Sequence, residues 1–272
     1  MIIVTHRKPH LDEVVAAWLL KTFDPAFRDA GFEFVPYRPT GGQPPTGPQY
    51  VSIGIGHGKF DEHNQQAGHS ATQLVYRDLL HRGLIPNDRF EDKALEWLVE
   101  YSHQEDTAHW RVTDPVLRSF MLPAILRGYA LLNPDDPSPV MMTKGLDLIE
   151  AVVAQLDELA KFLVDWDRRV EFVSRWGKAV GVHSSFRSAD AFAYHHGFVL
   201  CAQTDPRKPY GNFRARADSQ VDLTPVYEQL QAQEPGAWYL HQTKRVLLSN
   251  VDPATGRQPT RMTLEQLIEL VT

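Results

Sequence analysis

The stretch "HRKPHLDEVVAAWLLKTF", residues 6–23, follows directly on "MIIVT", residues 1–5, and its reading decides the fold. The opening residues are apolar, largely β-branched and uncharged, which suits a buried strand. From Asp12 to Phe23, Val14, Val15, Trp18 and Leu19 recur at helical spacing, which predicts a helix with those side chains inward. A strand that feeds a helix, repeated along a chain, points to an α/β fold. The junction holds more than a turn requires. One capping residue is enough to start a helix, and this junction carries His6, His10, Asp12 and Glu13.

Working outward, "FEFVPYRP" (32–39) reads as a second strand and "TGGQPPTGP" (40–48) as a Gly/Pro loop. "YVSIGIG" (50–56) is a third strand, followed by the polar, histidine-bearing "HGKFDEHNQQAGHS" (57–70) and a helix over 71–82. Ala94, Leu95, Leu98 and Tyr101 place another helix in "FEDKALEWLVEYSHQEDTAHW" (90–110), and a long one is expected from about 142 to 175, after the break "NPDDPSP" (133–139). The pattern then restarts. Strand "KAVGVHS" (178–184) leads to helix "SADAFAYHHG" (188–197), stopped by Gly197, and then to strands "FVLCAQT" (198–204) and "FRARAD" (213–218). Helix "DLTPVYEQLQ" (222–231), strands "AWYLHQ" (237–242) and "RVLLSN" (245–250), and a closing helix "TLEQLIELV" (263–271) complete it. The expectation is an α/β chain of two domains. Residues 1–170 should hold a mainly parallel sheet flanked by helices, and 171–272 a smaller mixed α/β domain, joined through the long helix.

With 43% hydrophobic and 23% charged residues in 272, two ordinary cores are within reach. A formal charge of -6 argues against non-specific nucleic-acid binding by a uniformly basic surface, though it leaves room for a local basic cleft. The single cysteine, Cys201, excludes an intramolecular disulfide framework and a cysteine-based zinc site. No apolar run approaches the length of a membrane span and no leader pattern opens the chain, so a soluble cytoplasmic protein is expected, with a homo-oligomer compatible. The unusual count is histidine: eight of twelve lie within the first 109 residues.

Ligands of open α/β sheets bind beyond the C-terminal ends of the strands. Three polar clusters fall there or on a nearby helix: His6, His10, Asp12 and Glu13; His57, Asp61, Glu62 and His63; and His103, Glu105 and Asp106. Imidazoles mixed with carboxylates suit manganese, iron, zinc or cobalt, whereas calcium and magnesium prefer oxygen alone. His103 and Asp106 are three apart and share a helix face. Blander readings stand beside these. Asp12 is a natural cap for its own helix, which leaves His6 and His10 unexplained. "HQED" (103–106) suits an exposed helix face, His69, His81 and His109 read as surface or supporting residues, and the pair His195 and His196 is accounted for by a helix C-terminus.

The residues now reached resemble a known family. "HRKPHLDEVVA" is similar to the first motif of the DHH phosphoesterase superfamily, His-x-x-Pro-Asp-x-Asp-Ala-x-x-Ala, with His6, Pro9, Asp12 and Ala16 matching. "FDEHN" (60–64) resembles its Asp-His-His motif and "HSATQLVY" (69–76) the Ser-Ala helix behind it. The closer likeness is to the melanocyte-proliferating-gene branch of metal-dependent nucleases, with Thr-His-x-Gly-x-Phe-His-x-Asp-Glu; "THRKPHLDE" is one residue shorter but keeps the His, His, Asp, Glu order. "LVEYSHQEDT" (98–107) resembles that branch's Phe-Val-Glu helix, and "FRARAD" with "GAWYLHQTKRVLL" its C-terminal strands. There are departures. His10 stands where most of the superfamily has a metal-bound Asp, Ser52 where the metal-bridging Asp falls, Glu62 for a ligand His, and His103 for a ligand Asp.

The resemblance implies a divalent-metal phosphoesterase, manganese first and iron, zinc or cobalt next, acting on nucleotides or short single-stranded nucleic acid. It implies His6, His10, Asp12, Glu62, His103 and Asp106 as ligands, with Glu13 as a further ligand or an acceptor orienting the imidazoles. His63 would contact the phosphate or protonate the leaving group, beside Asp61. The C-terminal domain would supply substrate contacts through Arg214 and Arg216, alternating along a strand, and through His241 and Lys244 in a hairpin; arginines on an edge strand equally protect the edge. Two alternatives stay open: a hydrolase of phosphoanhydrides or signalling dinucleotides, and a non-catalytic nucleotide-binding protein on the same scaffold.

Overall fold

The computed structural model describes residues 1–36, 44–63, 68–85, 89–109, 112–249 and 258–272, with backbone alone at 89–91. Strand β1 (Ile2–His6) is central in a three-stranded parallel sheet of order β2-β1-β3, with β2 (Gly31–Val35) and β3 (Tyr50–Ser52) on its flanks. The third strand is shorter than "YVSIGIG" suggests. After Ser52 only Ile53 pairs, with Phe60, and the chain turns at Gly54, whose φ is +66°. The expected Gly/Pro loop at 40–48, the end of the second strand and Asn250 lie wholly or partly outside the described residues.

Helix α1 (Leu11–Phe23) is buried from Leu11 through Leu20 without interruption. Such a helix must be covered on every side. It packs on α2 (Ala71–His81), α3 (Arg89–Asp106) and α5 (Leu122–Leu132). At Gly145 of α6 (Pro137–Trp166) a Cβ would come 2.6 Å from Val14 Cγ1, so α6 approaches α1 where only glycine fits. Trp18 donates its indole N–H to Glu150 on the same helix at 2.8 Å.

The apolar pattern alone assigns no element between 107 and 136, yet α4 (Pro115–Ser119) and α5 form there, each with proline in its first turn. Proline lacks only an N–H that has no helical partner at that position. The same rule corrects the long helix, which starts at Pro137 inside "NPDDPSP" and stops at Trp166; Val170–Ser174 is strand β4, not helix. The chain divides into compact units at Met1–Asp157 and Glu158–Thr272, so the division falls within α6 and not near 170.

In the second unit, β4 leads a six-stranded mixed sheet. Its other strands are β5 (Gly177–His183), β6 (Leu200–Thr204), β7 (Gly211–Ala215), β8 (Trp238–Leu240) and β9 (Val246–Ser249), in the order β4-β5-β6-β7-β9-β8. Among the described strands of this sheet only β5 and β6 pair in parallel, joined through α7 (Ala189–His195). Side chains alternate between two cores. Leu200 and Ala202 face the side of α8 (Thr224–Gln233) and α9 (Leu264–Glu269), while Cys201, Val180 and Val182 face Phe162, Trp166 and α7. Among the described residues no helix is long and apolar enough to cross a membrane.

Candidate metal centre

The site is built in the first unit from the end of β1, the start of α1, the loop after β3 and the last turn of α3. His6 closes β1 and is buried. Its Nδ1 lies 2.8 Å from the carbonyl oxygen of Arg7, which accepts only, so Nδ1 carries the hydrogen. That fixes Nε2 toward Glu13 Oε1 at 3.1 Å. A lone pair facing a carboxylate needs positive charge between them. Burial disfavours the charged imidazole, but its hydrogen bond and attraction to Glu13 outweigh this and raise its pKa. Glu13 responds in the opposite sense: burial pushes it up, the contacts with His6 and His10 pull it further down, and its pKa is lowered.

Glu13 is the third residue of α1, and its Oε2 accepts the backbone N–H of His10, the cap residue, at 2.7 Å. The imidazoles of His6 and His10 meet edge to face with centroids 4.8 Å apart. His6, His10 and Glu13 thus bring three ligand atoms within 4.8 Å of one another. Gly54 permits this. A Cβ there would lie 2.6 Å from Glu13 Oε1.

Asp12, the neighbouring carboxylate, points elsewhere and does not cap its own helix. Its Oδ2 accepts from the N–H of Ala71 at 2.7 Å, and Oδ1 from the N–H of Thr72 at 3.1 Å and the Ser102 hydroxyl at 3.2 Å. Ser70 accepts from the N–H of Gln73, so two side chains close the first turn of α2, one of them from α1. A carboxylate offers about four acceptor directions, and these bonds leave one on Oδ2. Oxygens of Asp12, Glu62 and Asp106 converge within 4.8 Å, and Glu62 also belongs with Asp61 and His63. Burial, reinforced by the charges of Glu13 and Asp106, pushes Asp12 up to about 7; burial raises Glu62 to about 7 as well. Asp106 is raised too, by burial and Glu13.

The 57–63 loop is held by Asp61, which is 1% exposed. It accepts from the N–H of His57 at 2.5 Å and from the N–H and Nδ1–H of His63 at 3.0 and 2.8 Å. Burial would raise Asp61, but these bonds hold its carboxyl below the ordinary value. For His63, burial is outweighed by Asp61 and Glu62, and its pKa rises. His57 itself sits at φ +53°, and Lys8, in the β1–α1 turn, at φ +57°. Strained non-glycine backbone of this kind costs about 1–3 kcal/mol and gathers at functional loops.

The cluster has unmet valence. Glu62 Oε2 and His103 Nδ1 are buried with no hydrogen-bond partner among the described residues. An anchored imidazole, carboxylates forced together and the unpartnered Glu62 Oε2 form a donor set that fits a divalent transition ion. His103 lies on the same last turn of α3 as Asp106 but outside the three groups of converging atoms.

The residues expected to contact substrate belong to the second unit and have neighbours there. Arg214 lies on β7, 3.9 Å from Asp190. Arg216 lies beyond the strand's end, its N–H bonded to Val199 O and its guanidinium to Asp218 at 2.6 Å. Lys244 pairs with Asp222 at 3.3 Å, and His241 lies 2.9 Å from Thr243 Oγ1. The sequence reading misses the cations beside the cluster itself: Lys8, Arg118 and Arg127 line the same cavity as His10, Asp12 and Asp106. No histidine or carboxylate motif marks the two arginines, and their helices were not expected. No family profile matches the chain, and no curated protein does.

Proposed function

We propose that the protein is a divalent-metal phosphoesterase that hydrolyses phosphodiesters of nucleotides or short single-stranded nucleic acid. The observation that carries this reading is the convergence of His6, His10 and Glu13 in one group and of Asp12, Glu62 and Asp106 in another, drawn from three chain segments at the end of a parallel sheet. The likeness of "HRKPHLDEVVA" and "FDEHN" to DHH phosphoesterase motifs supports it. These residues would hold the ion or ions, with Glu62 common to two of the groups. A bound ion supplies Lewis acidity toward a phosphoryl oxygen and toward the attacking water. His63, fixed through Nδ1 by Asp61, protonates the leaving alcohol as its P–O bond breaks, and a carboxylate of the cluster takes the proton that the water gives up. Cleavage of a phosphoanhydride or a signalling dinucleotide uses the same parts and differs only in the leaving group.

Ser52 motivates a second reading, a nucleotide-binding protein without turnover, because it ends β3 where the superfamily carries a metal-bridging carboxylate. Metal content after purification without chelator, in wild type and in His10→Ala and Glu62→Ala variants, decides the first step. Near-stoichiometric manganese, iron or zinc that both variants lose is expected. Release of mononucleotides from a short oligonucleotide then separates turnover from binding. A folded protein that takes up no metal and cleaves nothing overturns the proposal.

A further inference from the structure

The cavity beside the cluster lies within the first unit and has a volume of about 400 Å³. His10, Asp12 and Asp106 line it, so it reaches the candidate ligands; Lys8, Arg118 and Arg127 line it as well. The two arginines come from separate helices, α4 and α5. Among the described residues neither has an ion-pair partner. Both act at longer range on Glu105, whose carboxyl burial raises and these guanidiniums lower, and whose Oε1 is buried without a hydrogen-bond partner among the described residues. Lys8 is held in its left-handed conformation by an N–H donated to Ser138 Oγ at 3.1 Å. Cations that only balanced the acidic cluster would be expected to pair with it. These line the same cavity as His10, Asp12, Glu105 and Asp106 without an ion pair to any of them among the described residues, and guanidiniums without partners are suited to fork onto a phosphate.

We propose that Lys8, Arg118 and Arg127 receive a second phosphate of the substrate while the ester to be cleaved lies against His10, Asp12 and Asp106. The preferred substrate is then a short nucleotide bearing a terminal phosphate next to the scissile ester. The inference rests on the phosphoesterase reading for the identity of the ester, and on the cavity alone for the second phosphate. A cavity of this size sits near the lower end of the roughly 300–1,000 Å³ that small-molecule sites span, which favours one or two nucleotides over a polymer.

The test compares a diadenosine dinucleotide with and without a 5′-phosphate, using wild type, an Arg118→Gln/Arg127→Gln double variant and a Lys8→Gln variant. Binding to the metal-free protein is measured by calorimetry, and hydrolysis with manganese by product release. A charge-assisted contact predicts about tenfold tighter binding of the phosphorylated dinucleotide by wild type, with a matching preference in kcat/KM. That ratio should fall toward one in the double variant and fall partway in Lys8→Gln. Equal binding of the two dinucleotides by wild type, or a preference that survives in the double variant, overturns the inference. If neither dinucleotide is cleaved, the phosphoesterase reading fails by itself, and the binding ratio still decides the phosphate site.

Discussion

Gly54→Ala is the perturbation that most directly tests how the site is held. Gly54 sits at φ +66°, and an added methyl group would lie 2.6, 3.0 and 3.2 Å from Oε1, Cγ and Cδ of Glu13. The left-handed conformation costs alanine roughly 1–2 kcal/mol. A lone carboxylate tip could swing aside, but Glu13 is 3% exposed and tied at both oxygens, to His6 and to the N–H of His10. Moving it gives up one of these contacts or crowds the core, at about 1–3 kcal/mol. Against this, alanine lowers the entropy of the unfolded chain by about 0.4–1 kcal/mol. The net expectation is a loss of about 1–4.5 kcal/mol, read from urea denaturation followed by circular dichroism, together with weaker metal uptake. Gly58→Ala is the control. Gly58 has an ordinary φ, and among the described residues its added Cβ meets Ser52 Cβ alone, at 3.9 Å, so about 0.5 kcal/mol or less is expected. If Gly54→Ala were as stable as Gly58→Ala, the close approach of Gly54 to Glu13 would not be what positions that carboxylate.

Two further predictions concern the second unit. Burial, with Asp190 adding to it, pushes the Cys201 thiol up to about 12, so a thiol reagent at pH 8 should leave the native protein unlabelled and react fully in denaturant; prompt native labelling would contradict the burial described. Glu234 accepts from Trp238 Nε1, Thr260 Oγ1 and the N–H of Arg261, so Glu234→Ala should lose about 2–3 kcal/mol, with a change in tryptophan emission. An unchanged denaturation midpoint would show that these three bonds do not tie the C-terminal segment to α8.

The alternation of strand and helix was legible because Val14, Val15, Trp18 and Leu19 of α1 recur at helical spacing and the first strand is short and β-branched. The metal-ligand types at 6, 10, 12, 13 and 61–63 were legible as well. Which of two adjacent carboxylates serves the histidines was not. Successive helical residues differ by about 100° in direction, and the partner that claims Asp12 is the start of a helix 59 residues further along the chain. Only tertiary packing assigns Glu13 inward to His6 and Asp12 across to α2. Arg118 and Arg127 are not legible for a different reason: their helices open with proline, which reads locally as a break, and an isolated arginine carries no periodic signal. Arg214 on β7 and Arg216 just beyond it are conspicuous in the sequence, but each has an acidic neighbour of its own.

The double employment of Asp12 changes how sequences of this kind should be compared. Its carboxylate fastens the start of α2 to α1 and also faces the converging oxygens of Glu62 and Asp106. A relative without the proposed chemistry would still need that aspartate to hold the two helices together. Its retention in a relative therefore speaks for the fold and is silent on activity. His10, Glu62 and Asp106, which the described fold does not use in this way, are the positions whose loss or retention bears on the proposed metal chemistry.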